Sequence, residues 1–406
     1  MRISESFFAG RRQGRDRRAA AVYRQRPKFS IFQDVPAAAG RARGRTPPRN
    51  RLKSAHDGPV ACTPRAAYAA RRMTGSTPSL SLASPAERSA APEHVAFERL
   101  AWGVLAYTVA VVLFGAVVRI TGSGAGCGQH WPTCQGEVVH LPRTVATAIE
   151  LSHRLTSGLS LLFVVGVAIV AWRRFPAGHA ARRFASAAVV LMIVESLVGA
   201  ALVLLRLVGN NTSLARAGVM SVHLVNTSLL AASIALTAWT ARHPVPRRWM
   251  PSCRLDWALV LSLVAALVVS VTGAITALGD TLYPVVTAHT VSERLAADHA
   301  TTATLIERLR AVHPLVAFSS AVLFVVVVWK TKEIRPRPEV ERGARLVIGL
   351  VFAQVSAGVL NILLSAPGWM QVLHLGLATS LWLSLVVFYP TAMAARRASR
   401  AMPSSV

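Results

Sequence analysis

The chain has 406 residues, 53% hydrophobic and only 16% charged, with a formal net charge of +27 and a mean hydropathy of +0.43. This balance excludes a string of soluble domains, and four cysteines are too few for a disulfide-rich secreted scaffold. Nor does the charge indicate nucleic acid, because residues 1–98 hold 19 Lys/Arg against 7 Asp/Glu and the remainder is spread through long apolar runs.

Residues 1–97 show no sustained apolar period and are rich in Arg, Pro, Ala and Ser. Such a stretch buries too little surface to offset its ordering entropy, so a basic disordered extension is expected there. It reads as an Arg-rich targeting peptide, as a basic arm for anionic lipid, or as an upstream start on a chain that properly opens at Met73; the last reading is favoured.

From Leu100 onward the chain divides into apolar stretches near 100–120, 149–172, 184–206, 217–241, 257–278, 311–330, 345–364 and 369–393. Each reaches the ~20 residues that a bilayer crossing requires. The turn Ser365-Ala366-Pro367-Gly368 separates the last two. The expected fold is therefore all-α: a polytopic membrane protein with eight transmembrane helices. Basic residues collect in alternate loops: Arg173, Arg174, Arg182 and Arg183; then Arg242, Arg247, Arg248 and Arg254; then Lys330 to Arg345; then Arg396, Arg397 and Arg400. By the positive-inside bias both termini are expected to be cytoplasmic, in a bacterial inner membrane, or on the matrix side in an organelle, with loops 121–148 and 278–310 facing outward.

The two halves echo one another in order. Val118-Arg119-Ile120-Thr121-Gly122 ends span 1, and Ser270-Val271-Thr272-Gly273 ends span 5. Glu195 and Gly199 in span 3 recur as Gln354 and Gly358 in span 7, both at an offset of 159. Each even-numbered span has a histidine near its start: His153, His223, His313 and His374. This predicts two tandem four-helix bundles, residues 98–243 and 244–395, followed by a short cytoplasmic tail, 396–406.

A polar side chain inside a span is costly unless paired or ligated. One such histidine reads most simply as a hydrogen bond to a neighbouring helix, but four at similar depth in a duplicated bundle point to ligands. Two facing imidazoles can hold a haem iron axially, which predicts one site at His153 and His223 and another at His313 and His374. Zinc is the weaker alternative, since no thiolate or second carboxylate joins them.

Glu150 lies one turn outward from His153 on the same helical face. The repeat offset of 160 puts Arg310 at the matching place in the second half, so the pockets differ in charge. A salt bridge to a nearby arginine is the plainer account of Glu150; for Glu195 a hydrogen bond between helices is favoured. Arg119, Arg154 and Arg310 are candidates for contact with haem propionates, or for snorkelling to headgroups. In the outward loop Cys127 and Cys134 are placed to form a disulfide, as a redox pair, a lid or a simple staple. Cys62 and Cys253 are expected to be cytoplasmic and reduced.

Together these residues resemble the haem A synthase family, over about residues 98–395. The resemblance rests on Val118 to Gly124, Cys127, Trp131-Pro132, Cys134, Glu150-Leu-Ser-His153-Arg154, His223, His313-Pro314 and His374. It implies oxidation of the haem O methyl group to the formyl group of haem A through successive hydroxylation, with water as the oxygen source. By the same resemblance His313 and His374 hold a haem B cofactor, and His153 and His223 hold the substrate haem. Glu150 falls on the family's essential acid, and Cys127 and Cys134 on its outer-loop disulfide. A second cysteine pair found in some members is absent from loop 278–310, and the long basic tail also departs from the pattern. Haem O synthase, terminal oxidase assembly and the lipid bilayer are the implied partners, with no nucleic acid; the electron acceptor is unspecified. A di-haem electron-transfer cytochrome is the alternative function, and a haem-handling transporter ranks third.

Overall fold

The computed structural model describes residues 92–243, 250–283, 291–301 and 303–401. The segment 1–91, which holds most of the expected basic extension, lies outside the described residues.

The described residues are helical, without a strand beyond one isolated bridge between Cys134 and Glu137. The helices are α1 (Pro92–Ile120), α2 (Val145–Arg174), α3 (Ala180–Leu204), α4 (Leu214–Arg242), α5 (Arg254–Leu282), the short α6 (Val291–Asp298) and α7 (Leu305–Arg310), α8 (Val312–Ile334), α9 (Pro338–Leu363) and α10 (Gly368–Ala401). Eight helical stretches, counting Leu305–Ile334 as one, are long and apolar enough to cross a membrane. The protein is an integral, multi-pass membrane protein, as its hydropathy implied.

The helices overrun the apolar stretches at their ends because capping residues lie outside them. Thr144 and Ser213 accept backbone N–H bonds from Thr147 and Arg216 to start α2 and α4. Thr304 and Glu307 close a capping box at α7. Proline heads α9, where its missing N–H costs nothing. Two expected boundaries shift accordingly. α1 opens at Pro92, inside the segment expected to be disordered, and α10 runs through Ala401, past the expected tail boundary at 396.

The third helix of each half ends in the same way. The N–H of Leu207 returns to the carbonyl of Leu202, and that of Ala366 to Asn361. These pairs stand 159 residues apart, the offset already seen in the sequence. Each closure uses a left-handed residue that is not glycine, Arg206 in one and Ser365 and Ala366 in the other.

Packing joins α1 to α2, α2 to α3, α3 to α4 and α4 back to α1. In the second half α5 meets α8, α8 meets α9, α9 meets α10, and α10 returns to α5. Each set has its own apolar core. One is centred on Phe97, Val164, Leu230 and Ile234, the other on Val328, Val340, Val347 and Phe388. The two sets meet along α4–α5, α4–α10 and α1–α10. Large apolar side chains such as Leu162, Phe318 and Phe352 point outward, which suits a helix whose solvent is lipid.

Buried charge locks one end of the second set. Asp256 on α5, fully buried, pairs with Arg335 at the C-terminal end of α8 at 2.5 Å and with Arg396 of α10. Arg335 also donates to the carbonyl of Ala392 at 3.0 Å. Cys253, expected to be reduced, is disulfide-bonded; Cys62 lies outside the described residues.

Candidate functional site

The four histidines project from the even-numbered spans, and each meets the preceding span at a glycine. A methyl group built on Gly115 of α1 would lie 3.2 Å from Cε1 of His153 on α2. The corresponding distances are 3.0 Å for Gly273 of α5 to His313 on α8, 3.2 Å for Gly358 of α9 to His374 on α10, and 3.9 Å for Gly199 of α3 to His223 on α4. All four rings are half-buried. Each of the four rings thus lies at the contact between its own span and the one before it.

The surroundings of the rings differ. Phe114 meets His153 edge-on, with centroids 5.7 Å apart. The Glu195 carboxylate lies 3.3 Å from Nδ1 of His223, out of line for a hydrogen bond. That carboxylate accepts from Asn226 at 2.5 Å and from the Thr227 hydroxyl, bonding α3 to α4 as its place between helices implied. In the second pair the Thr272 hydroxyl is 3.0 Å from Nδ1 of His313, and the Gln354 amide is 3.1 Å from Nε2 of His374. Nδ1 of His153, His223 and His374 has no hydrogen-bond partner, an expensive condition for a polar atom in an apolar bundle.

Over the first pair lies the loop from Thr121 to Thr144, built on glycines. Gly122 and Gly128 take left-handed φ values of 66° and 68°. A methyl group on Gly126 would strike the backbone of Ala146 and Thr147 at 2.5–2.6 Å, so the loop rests directly on the start of α2. Cys127 and Cys134 form a disulfide within it. Glu150, 4% exposed, accepts the backbone N–H of Cys127 at 2.7 Å through Oε2. Its Oε1 accepts from Arg154 at 2.5 and 3.1 Å. Arg154 reaches on to the carbonyls of His130 and Thr133 at 2.6 and 2.7 Å. The salt bridge weighed as the plain account of Glu150 is therefore present, and it clamps the loop.

At the matching place in the second half, Arg310 performs the same task with the opposite charge. It pairs with Asp298 at 2.7 Å and Asp280 at 3.4 Å, and donates to the carbonyl of Tyr283 at 2.9 Å. Arg119 crosses between the halves, donating to the carbonyl of Ala277 at 2.6 Å, Thr281 Oγ1 at 2.5 Å and Gln371 at 2.8 Å. A haem propionate at any of these three arginines would have to compete with these partners.

Among the described residues no three of His, Cys, Asp and Glu come together to hold a metal ion. Paired imidazoles suffice only where the metal brings its remaining ligands with it, as porphyrin iron does. The donor set therefore fits haem and does not fit a protein-ligated zinc. Sequence reasoning had Gly199, Gly273, Gly358, Thr272 and Gln354 only as marks of the repeat and gave them no place beside the rings, and it missed Gly115 and Phe114 altogether. The signal that could have found the glycines is their spacing, since Gly115 and Gly273 stand 158 residues apart and Gly199 and Gly358 stand 159 apart.

An all-helical, multi-pass membrane protein with four glycine-backed histidines at corresponding depths is the class that this architecture defines. Within that class, residues 98–386 match the COX15-CtaA family, described as cytochrome oxidase assembly protein, and the chain belongs to that family. It is 46% identical over 302 residues to a protoheme IX farnesyltransferase of Thermus thermophilus, covering 74% of this chain and 49% of that protein. A heme A synthase of Alkalihalophilus pseudofirmus is 44% identical over 90 residues, 22% of this chain and 30% of the relative. One from Bacillus mycoides is 42% identical over 93 residues, 23% and 30% respectively. The matched segments thus span about half the length of the Thermus protein and under a third of each heme A synthase.

Proposed function

We propose that the protein is a haem A synthase: a membrane oxidoreductase that converts the methyl group of haem O to the formyl group of haem A, through hydroxylation, for terminal oxidase assembly. The observation that carries this reading is two glycine-backed histidines in each set of four helices, with the buried Glu150 one turn from His153 where the second half has Arg310 before His313. Membership of a cytochrome oxidase assembly family and similarity to proteins named heme A synthase support it. A relative named for farnesyl transfer to protohaem contains a comparable stretch in about half of its length, which supports haem O synthase as a partner.

The N-terminal half, 98–243, is the substrate half. There His153 and His223 would hold the haem O iron. Glu150 keeps a negative charge one turn above His153, where it favours positive charge developing on the substrate edge or takes up a proton released there. Arg154 holds that carboxylate in place and shields it from bulk water. In the C-terminal half, 244–395, His313 and His374 hold haem B, which supplies one-electron redox capacity when bound. Thr272 orients the His313 ring through Nδ1 and leaves its Nε2 for the iron, whereas the Gln354 amide donates to Nε2 of His374 and would have to release that nitrogen for the iron to bind it. The termini are cytoplasmic in a bacterial cell and both pockets open toward the outer face, a reading that the basic loops support.

Haems extracted from protein expressed with a supply of haem O test the reading. Haem A or hydroxylated haem O supports it; haem B alone overturns it in favour of a di-haem electron-transfer cytochrome. His313→Leu should lose the low-spin absorbance of the cofactor in purified protein.

A further inference from the structure

Among the described residues three arginines are buried: Arg335, Arg310 and Arg216, at 2, 7 and 4% exposure. Arg335 pairs with Asp256, and Arg310 pairs with Asp298 and Asp280. Arg216, in the first turn of α4, forms no ion pair among the described residues. Its Nη1 donates to the carbonyls of Gly209 and Asn211 at 2.5 and 2.9 Å. The other edge of the guanidinium, Nε and Nη2, donates to none of the described residues, and Nε is buried. Arg154 shows what such an edge can hold, since its Nε and Nη2 both donate to the Glu150 carboxylate. A buried cation without a counter-charge is costly, and a side chain this enclosed does not snorkel to headgroups.

Arg216, His223 and Leu230 recur at intervals of seven along one side of α4, and Leu230 belongs to the apolar core of the first set. Arg216 therefore stands two turns from His223 on the same face, about 10 Å away at 1.5 Å per residue. That is also the scale of the reach from a porphyrin iron to a carboxylate at its rim. Gly209 and Asn211 lie in the connection from α3 to α4, which packs on the disulfide loop. A methyl group on Gly209 would meet Cβ of Ala125 at 3.6 Å, and Arg206 donates to Gln129 at 2.6 Å. Arg216 thus lies at the loop end of the first set, as Glu150 does. The second half has no counterpart, because the offset of 151 between His223 and His374 puts Pro367 at the matching place.

Resting on the haem A synthase reading, we propose that Arg216 binds a propionate of the substrate haem through its Nε–Nη2 edge and so fixes the rotation of the porphyrin about its iron. Two imidazoles locate an iron but let the ring turn about the axis between them. A contact at the rim decides which methyl group is presented to Glu150. A propionate supplies the missing counter-charge and meets the planar edge with two parallel bonds. Unlike Arg154 and Arg310, Arg216 has no carboxylate to displace first.

The test compares haem O with its propionate dimethyl ester. Each is titrated into purified full-length protein that already carries haem B, and binding is followed by low-spin absorbance. The parent should bind haem O about 10- to 100-fold more tightly than the ester, the range of a hydrogen bond to a charged group. In Arg216→Gln that ratio should fall by about tenfold, and Arg216→Lys should retain part of it. A guanidinium that only ties down the connection from α3 to α4 affects both ligands alike. An unchanged ratio in Arg216→Gln therefore overturns the proposal even if both ligands bind more weakly. Should Arg216→Gln fail to fold, the parent still decides, since equal affinity for haem O and its ester overturns the proposal. Neither result touches the proposed function, which is read separately from the haem A that the parent forms. Parent protein that takes up no haem O overturns both.

Discussion

The backbone N–H of Cys127 donates to the Glu150 carboxylate at 2.7 Å, so the acid beside the first histidine pair also carries the disulfide loop. Removing the side chain separates these two roles only in part. Glu150→Ala leaves the Arg154 guanidinium and the Cys127 N–H facing an empty space, at a cost of about 3–5 kcal/mol if the pair is dry. We expect Glu150→Ala to keep haem B but to form no haem A, and to unfold at a lower temperature in detergent. Glu150→Gln, which retains an acceptor without the charge, should recover most of the stability and none of the turnover. Normal conversion of haem O by Glu150→Gln would show that its charge takes no part in the reaction.

The disulfide closes a short loop, with its cysteines only seven positions apart. Chain entropy alone then assigns it about 2–3 kcal/mol. Cys127→Ser combined with Cys134→Ser should lower the unfolding temperature while leaving the haem B spectrum of the second pocket intact. A changed haem B spectrum in that variant would mean that the loop supports both pockets.

Thr272→Val tests the support of a ligand without touching the ligand itself. It removes the hydroxyl 3.0 Å from Nδ1 of His313 and leaves the shape nearly unchanged. Loss of such support lowers metal affinity by about 10- to 100-fold. A haem B titration of the variant should fall in that range, whereas Thr272→Ser should bind as the parent does.

A control lies at the other end of α5. Asp256 is about 25 Å along the helix from Gly273, at 1.5 Å per residue, and it neutralises both Arg335 and Arg396. Asp256→Asn should cut the yield of folded protein strongly, since breaking a buried pair costs about 3–5 kcal/mol. The protein that does fold should show the parent haem spectrum. An altered spectrum would place the lock in communication with the pocket.

The spans and the four histidines within them were legible because each rests on a local rule. An apolar run of about 20 residues has one use, and an imidazole inside it needs a partner. What was not legible depends on which faces meet. Gly273 reads as an ordinary helix glycine until α5 and α8 are packed together and His313 is found against it. The acids of loop 278–310 were visible in the sequence, but that Asp280 and Asp298 converge on Arg310 was not. Arg119 and Arg154 read as contacts for haem propionates or for headgroups, whereas both are committed to protein acceptors. Pro92 gave no apolar signal, so the first helix was placed too late.

Arg119 leaves α1 and fastens on Ala277 and Thr281 of α5 and on Gln371 of α10. For the two halves to slide past each other, all three attachments would have to break together. The seam between the two sets of helices is therefore pinned by one guanidinium as well as by packing, and any change at that side chain is felt on α1, α5 and α10 at once.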